Sequence, residues 1–573
     1  MLTSNKDARG RYYCILVLLF LFVIAWVNVA HAATYYIDFQ NGNDNNTGTS
    51  PLTAWKTIQG TRNTWDTADQ STKWGTTFSS SRRVPAGTVF KLKSGSAHNS
   101  ANGGRVHISS TYYDTDATAS NPILFQRDTT WGSGSVTFDG TGITLYDSNK
   151  WRTGWGLIHI KEGVGGISFD GVSGVSNKYD GIVVQNSAKI GVSYQADNVS
   201  IMQGGVVQFI KFYNNGTLYN INDKSFAGSG QLYVKYHDQI TIRYCEFNGN
   251  NLYTNGIHLG QSYTRVTNCS VSDCIAYNHN GTDATDVGIG FKGQNSQITY
   301  RNCVAYNNIS KGFDNGEEWA KSSWDIIYML SNCSAHNNVV MGAGFSVTAA
   351  PRVGFGTFYI INCIFRDNGG PGVKMYAGPY TGIVVHSVFD NNNINILAHP
   401  DGISDTSNVT VRYYNNIFYK PSGNDGNTSV GYWKDGQSNY VRESDYNSYV
   451  QSSSEYFSRW GCYGGGSDQY DFSYGVEGPG FSNSRWYKWQ AWYNDAHSKG
   501  TGSGDSTLPP FEDVANHNYM LTGYYQGVNL TEKAWYVPEM GMDRNGVLRV
   551  SWDMGPYEYL IRPSLPKGLR IIR

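Results

Sequence analysis

A right-handed, single-stranded parallel β-helix with a cap at each end is the fold this sequence predicts, on three observations. The first is a recurring phrase: Cys245-Glu-Phe-Asn-Gly-Asn250, Cys274-Ile-Ala-Tyr-Asn-His279, Cys303-Val-Ala-Tyr-Asn-Asn308, Cys333-Ser-Ala-His-Asn-Asn338 and Cys363-Ile-Phe-Arg-Asp-Asn368. A sixth copy, Ser387-Val-Phe-Asp-Asn-Asn392, has Ser in the Cys slot. Successive cysteines of the phrase lie 29 or 30 residues apart, and a fixed period in that range marks stacked repeats. The second observation is apolar alternation over short runs, as in Gln297-Ile-Thr-Tyr300 and Gly382-Ile-Val-Val-His386, which is strand spacing. The third is the Asn/Gly turns between those runs, with no long 3.6-residue pattern in the repeats. One period is then one coil, and the next coil stacks ~4.8 Å above it.

Stacking accounts for the residue types. Equivalent positions lie over one another, so an inward Cys column is a line of small apolar side chains filling the core. An Asn column at a turn can hydrogen-bond along the stack. A metal site would need converging ligands rather than a line along the axis.

Taken in order, the chain opens with Lys6, Arg9 and Arg11 before the apolar run Tyr12–Val27 and an Ala30-His31-Ala32 cleavage pattern. Residues 1–32 therefore read as a Sec-type signal peptide, and the mature protein as secreted, periplasmic or held at the cell surface. Removing Cys14 leaves seven of the eight cysteines, an odd number. Residues 33–120 form an N-terminal cap and first strands, 121–420 the repeats, with the regular ladder ending after Asn416, and 421–573 a Trp/Tyr-rich C-terminal cap that wraps the solenoid. A net charge of −1 in 573 residues argues against a nucleic-acid or anionic-membrane binder. The 66 glycines and 42 tyrosines suit a turn-rich exported protein whose aromatics stack on sugar rings. The expected partner is a polysaccharide, met by a monomer, with no nucleic acid and no membrane after signal cleavage.

Two stretches carry a resemblance. Thr34-Tyr-Tyr-Ile-Asp38, the turn cluster Asn41–Gly48, Trp55-Lys-Thr-Ile58 and Pro85–Gly95 resemble the N-terminal cap of secreted bacterial β-helix proteins of the pectate-lyase-like superfamily. Asp553-Met-Gly-Pro-Tyr-Glu-Tyr559 resembles the ending common in the same group.

Chemistry is expected on the Gly-led strands that follow each Asn turn: Gly256-Ile-His258, Gly288-Ile-Gly-Phe-Lys292, Gly312-Phe-Asp314, Gly344-Phe-Ser346 and Gly372-Val-Lys-Met-Tyr376. Aligned on their first glycines, these strands point Ile257, Ile289, Phe313, Phe345 and Val373 inward. Strand alternation then turns His258, Gly290, Asp314, Ser346 and Lys374 outward, with Gly260, Lys292, Gly316, Thr348 and Tyr376 two residues on. Neighbouring loops add Asp283, Asp286, Glu317 and Glu318. Such a face suits β-elimination on an acidic sugar. That reaction needs the substrate carboxylate neutralised, commonly by Ca2+ on clustered acidic oxygens, and a base for the proton alpha to it, for which a lysine beside cations serves. Asp283, Asp286 and Asp314 are the metal candidates and Lys292 the base. Lys374 is a second catalytic lysine or a ligand of the substrate carboxylate, and His258, Tyr376 and Arg352 are expected to contact substrate.

The segments Thr282–Lys292, Arg301–Asn308 and Gly312-Phe-Asp314 resemble family 9 polysaccharide lyases, in which aspartates hold Ca2+ and a lysine is the base. Over these 35 or so residues two positions depart from that family. Val287 stands where an aspartate is expected, and Gly312-Phe-Asp-Asn-Gly-Glu-Glu lacks the lysine that follows there, so Lys292 takes the base role by default. A glycoside hydrolase on the same fold would use paired carboxylates, and its polygalacturonase-type signatures are not found in this sequence. A non-catalytic carbohydrate-binding or surface-structural solenoid is the other alternative.

Overall fold

The structure is a computed structural model that describes residues 33–62, 77–78, 81–143, 156–161, 163–195, 201–217, 230–260, 265–281, 287–294, 296–317, 326–347, 356–376, 380–399, 409–420, 430–433, 440–451 and 456–461, with shorter pieces up to 557. The signal peptide expected at 1–32 lies outside the described residues.

One period shows how the coil is built. Strand Gln297–Arg301 is followed by Asn302 in the left-handed region (φ 52), then strand Val304–Tyr306, then Asn307 (φ 54), then strand Lys311–Glu317. Each strand pairs in parallel with its counterpart in the next coil: Ile326–Ser331, Ser334–His336 and Met341–Val347. The two left-handed residues are the bends that turn a strand into a coil. They recur as columns, Asp273, Asn302, Asn332, Asn362 and Asn415 before the Cys slot and Asn278, Asn307, Asn337, Asp367 and Asn391 at the second corner. Asn and Asp are the residues besides Gly that enter this region readily.

The paired asparagines of the phrase therefore have separate jobs. The first makes the bend, and the second is buried in a ladder, with Asn308 Nδ2 donating to Asn338 Oδ1 (3.0 Å), Asn338 to Asn368 (3.0 Å) and Asn368 to Asn392 (2.8 Å). Each ladder amide also donates to a backbone carbonyl of the preceding coil, such as Asn338 Nδ2 to Ala305 O at 3.2 Å. An amide fits because it carries donors and an acceptor at once.

The Cys column is core. Cys245, Cys274, Cys303, Cys333 and Cys363 are buried, and every thiol donates to the carbonyl two residues earlier, as Cys303 Sγ does to Arg301 O at 3.3 Å. Ser387 makes the same bond to Val385 O at 3.0 Å. All six described cysteines are free, and burial pushes the Cys274, Cys303, Cys333 and Cys363 thiols up. Aromatic stacks fill the rest of the interior, including Phe90–Phe125–Phe169 (4.9 and 5.1 Å between centroids), Phe291–Phe313 (5.0 Å) and Phe365–Phe389–Phe418 (5.3 and 5.2 Å). These spacings are the coil rise itself.

The ladder is longer than the repeat phrase. At its start Thr34–Ile37 pairs in parallel with Val89–Ser94, and that strand with Ile123–Gly132. Beyond Asn416, where the sequence predicts an end, Val409–Tyr414 pairs with Tyr440–Asp445, and Ile394–His399 continues through Val430–Trp433 to Tyr456–Gly461. The phrase fades because Asn416 and Asn447 take over the Cys slot, bonded to each other at 3.0 Å. The last described segment lies along the side of the solenoid: Leu530 and Met540 cover Ile361, Ile383 and Val385. Arg544 donates to Cys333 O and Asn362 O, and Arg549 to Asn362 Oδ1.

Candidate functional site

The Gly-led strands form one continuous parallel sheet, in which Asn255–Leu259, Phe291–Gln294, Lys311–Glu317, Met341–Val347 and Pro371–Tyr376 are successive neighbours. Its register corrects the alignment on first glycines. The inward column is Ile257, Phe291, Phe313, Ala343 and Val373, with Phe291 in place of Ile289 and Ala343 in place of Phe345. The outward column is His258, Lys292, Asp314, Gly344 and Lys374, with Lys292 in place of Gly290 and Gly344 in place of Ser346. The flanking outward column holds Gln294, Gly316, Ser346 and Tyr376 rather than Lys292 and Thr348.

Steric contact decides this register. A Cβ on Gly290 would lie 2.8 Å from Gly312 O, and one on Gly342 would lie 2.5 Å from Gly372 O. Gly290, the second glycine of its strand, and Gly342, the first of its own, are therefore the ones that align, because only hydrogen fits at that corner. Gly288 instead serves a turn with φ +84.

The correction concentrates the chemistry. His258, Lys292 and Asp314 now sit in three successive coils of one column, about 4.8 Å apart per step. His258 Nε2 lies 3.0 Å from Gln294 Oε1, and its ring meets Tyr233 edge-on at 5.0 Å. Lys311, which the sequence reading missed, places Nζ 3.1 Å from Asp314 Oδ1. Though they face away from the core, His258 (2% exposed), Lys292 (2%), Lys311 (4%) and Asp314 (5%) are buried, so their charges act in a medium that screens less than water. Lys374 is half-buried. Lys311 could have been found from the strand that opens Lys311-Gly-Phe-Asp314, since a residue at the corner reaches back over its own strand.

The calcium expectation fares differently. Asp283, Asp286 and Arg352 lie outside the described residues, and Tyr376 is described only as a strand position. Among the described residues no group of three His, Cys, Asp or Glu side chains is arranged to hold a metal. Asp314, the described member of the expected set, already bears the Lys311 ammonium, with Lys292 in the coil below.

The outward column runs on toward the N-terminus through Tyr233, Ser193, His159 and His107. His159 Nδ1 is 2.8 Å from Ser193 Oγ, the His107 and His159 rings meet at 5.2 Å, and Arg105 Nη2 lies 3.4 Å from His107 Nδ1. A shared apolar–His–apolar pattern, Val106-His107-Ile108, Ile158-His159-Ile160 and Ile257-His258-Leu259, is the sequence signal that would have found these strands.

No family model and no curated protein matches the chain. Among solved structures it is similar to pectate lyase Pel9A at 16% identity over 71% of this chain and 79% of that one, TM-score 0.37. It is similar to a rhamnogalacturonan lyase at 13% identity over 73% and 87%, TM-score 0.38, and to XylC in complex with xylose at 10% over 92% and 98%, TM-score 0.43. At these values the likeness concerns the parallel β-helix alone.

Proposed function

We propose that this chain is an exported, monomeric polysaccharide lyase that cleaves an acidic, uronate-containing polysaccharide by β-elimination on the outward face of the Gly-led sheet. The observation that carries the reading is the register that puts His258, Lys292, Asp314 and Lys374 in one column with Lys311 bonded to Asp314. A row of ammonium groups recognises uronate carboxylates, and the coil rise lets neighbouring sugars meet neighbouring coils.

In this reading Lys292 takes the proton on the carbon alpha to the carboxylate. The electron pair left behind moves toward the carboxylate carbon, then returns to form the carbon–carbon double bond as the glycosidic carbon–oxygen bond breaks. The departing oxygen takes a proton from water. Tyr233 and His258 line the coils below and hold the neighbouring sugar. Hydrolysis is less supported, because Asp314 is the one carboxylate in the described column and two are needed. Calcium, expected from the sequence, is given no step.

The test is the ultraviolet absorbance of unsaturated product from the mature protein on a panel of polyuronates and glycosaminoglycans, with reducing ends assayed alongside. Lys292→Ala should lower the rate at least about 100-fold. Reducing ends without unsaturation would make the protein a hydrolase, and retention on polysaccharide without turnover a binding solenoid.

A further inference from the structure

The loop between strands Ile167–Asp170 and Ile182–Gln185 belongs to the larger sheet, not to the sheet of the Gly-led strands. Its shape is fixed from within. Buried Asp180 accepts the backbone N–H groups of Val175 (2.6 Å), Ser176 (3.0 Å) and Asn177 (3.2 Å), and Asn177 Oδ1 accepts that of Tyr179 (2.7 Å). The loop thereby holds Lys178 Nζ 5.5 Å from the centre of the Tyr179 ring and 5.0 Å from that of Tyr244, two coils above. Lys178 is exposed and makes no hydrogen bond or ion pair among the described residues, so its three N–H donors are open to a ligand. The carboxylates around it are engaged elsewhere. Glu246 holds Lys211 Nζ (3.2 Å), the Tyr277 hydroxyl (2.6 Å) and Asn177 Nδ2 (3.4 Å), and Asp273 accepts from Asn302 Nδ2 (3.2 Å).

Tyr244 stacks on Phe209 at 4.9 Å, and both rings are half-buried. They stand at the left-handed corner before the Cys slot, with φ 51 and 54, where the next four coils use Asp273, Asn302, Asn332 and Asn362. A bulky side chain is strained in that conformation, and such strain is kept where it serves a site. Aromatic rings take the same corner again at His386 and Tyr446, but there they are covered. His386 is fully buried, and Tyr446 packs against the cluster of Ile417, Tyr419 and Tyr519.

We propose that Lys178, Tyr179, Tyr244 and Phe209 form a second sugar-binding site, which takes a uronate residue with its carboxylate on Lys178 and its apolar ring face against the aromatic side chains. A pyranose offers C–H groups to such surfaces, and an ammonium pairs with a carboxylate. Because the loop is already ordered, little freedom is lost on binding. The position of the site is independent of the chemistry on the Gly-led sheet, while its ligand class rests on the reading of the chain as acting on a uronate polymer. Tyr244 and His258 lie in one coil, in strands Thr241–Asn248 and Asn255–Leu259. A polymer held at Tyr244 is therefore kept at the height of the proposed active face, which raises its local concentration there.

The experiment measures retention of the mature protein by affinity electrophoresis in polygalacturonate, alginate or a neutral β-glucan, with unsaturated product assayed in the same samples. It compares the wild type with Lys178→Met, Lys178→Arg, Tyr244→Asn and Lys292→Ala, each also melted. Expected is retention by a polyuronate and not by the glucan, weakened about tenfold in Lys178→Met and Tyr244→Asn and kept in Lys178→Arg. Tyr244→Asn should melt no lower than the wild type, since Asn enters the left-handed region readily. A ring with only a structural role would instead leave retention intact and lower the melting temperature. Retention unchanged in Lys178→Met and Tyr244→Asn, equal on the glucan, or absent on both polyuronates overturns the second site. Retention lost in Lys292→Ala alone overturns it too, since binding then belongs to the Gly-led face. Absence of unsaturated product with retention as expected overturns the lyase and leaves the second site standing.

Discussion

Asp314 and Lys311 show what a single contact decides in this protein. Both side chains are nearly sealed from solvent at 7% and 6% exposure, so removing one partner takes the nearest opposite charge from a buried ion. Asp314→Ala is expected to cost about 3–5 kcal/mol, and Asp314→Ala with Lys311→Met much less than the sum of the two single changes. A double-mutant cycle of thermal melts reads this, and additive losses would show that the pair is not coupled. The thiols of the Cys column are a second case. Buried, hydrogen-bonded to carbonyls and held toward the neutral form, they should resist thiol reagents until the chain is unfolded. Cys303→Ser should change stability by only about 1 kcal/mol, because Ser387 already makes the equivalent bond to a carbonyl.

At the scale of the coil, the ladder is the stabilising unit. Asn338 accepts from the Asn308 backbone N–H and Nδ2 and donates to Ala305 O and Asn368 Oδ1, all inside the core. Asn338→Ala strands several of these groups, and at about 1–3 kcal/mol for each buried unsatisfied group it should rank among the most destabilising single changes in the repeats. His279 occupies the same slot one coil before Asn308, where its backbone N–H donates to Asn308 Oδ1 at 3.3 Å and its Nε2 lies 3.2 Å from Phe247 O. His279→Asn should fold and carry the amide ladder one coil further. Much of this was legible in the chain: the Cys-x-x-x-Asn-Asn spacing names both corners and the core. The continuation past Asn416 was not, because the Cys slot accepts any small side chain that can reach a carbonyl or an amide. Cys, Ser and Asn all can, so residue identity drifts while geometry stays.

For the molecule as a whole, pH sets the balance between two kinds of buried group. Burial lowers His98 and His237 to about 4 and His279 to about 3. Each contributes stability that is complete above the ordinary histidine value near 6.5 and is lost as pH falls through those lowered values. Asp390 is raised to about 6 by burial, partly offset by the Tyr519 hydroxyl donating to it at 2.9 Å. Its contribution has the opposite sign, complete below the ordinary aspartate value and lost as pH rises through about 6. Among the described residues these three histidines, together with Asp38, Asp139 and Asp180, whose carboxyls are held below the usual value chiefly by hydrogen bonds, outweigh Asp390 and make acid the destabilising direction. Each histidine is worth about 3 kcal/mol at pH 4 by linkage. Melting temperature should therefore drop between pH 6.5 and 4, with a shallower slope in His279→Asn; a flat profile would mean that these rings meet water in the native state. Asp390 also ties the Asn518–Leu521 strand to the solenoid, and Leu530 and Met540 cover the apolar patch of Ile361, Ile383 and Val385. Truncation after residue 517 should expose that patch and lower solubility, read by light scattering and dye binding.

By itself the sequence determined the solenoid, its period and the Cys core, and named His258, Lys292, Asp314 and Lys374 as residues of one face. Period, turn chemistry and strand alternation are local properties, repeated often enough to be read without a structure. Only the tertiary structure decided which residues meet. Two glycines compete for the same corner in the strands that hold Lys292 and Gly344, and the choice between them moves every outward side chain by two positions. Contact with the backbone of the next coil makes that choice, as the 2.8 Å approach of a Gly290 Cβ to Gly312 O shows. Lys292 thereby enters the column of His258 and Asp314, Lys311 turns back onto Asp314, and Gly344 takes the level between Asp314 and Lys374, none of which strand alternation along one chain segment could place.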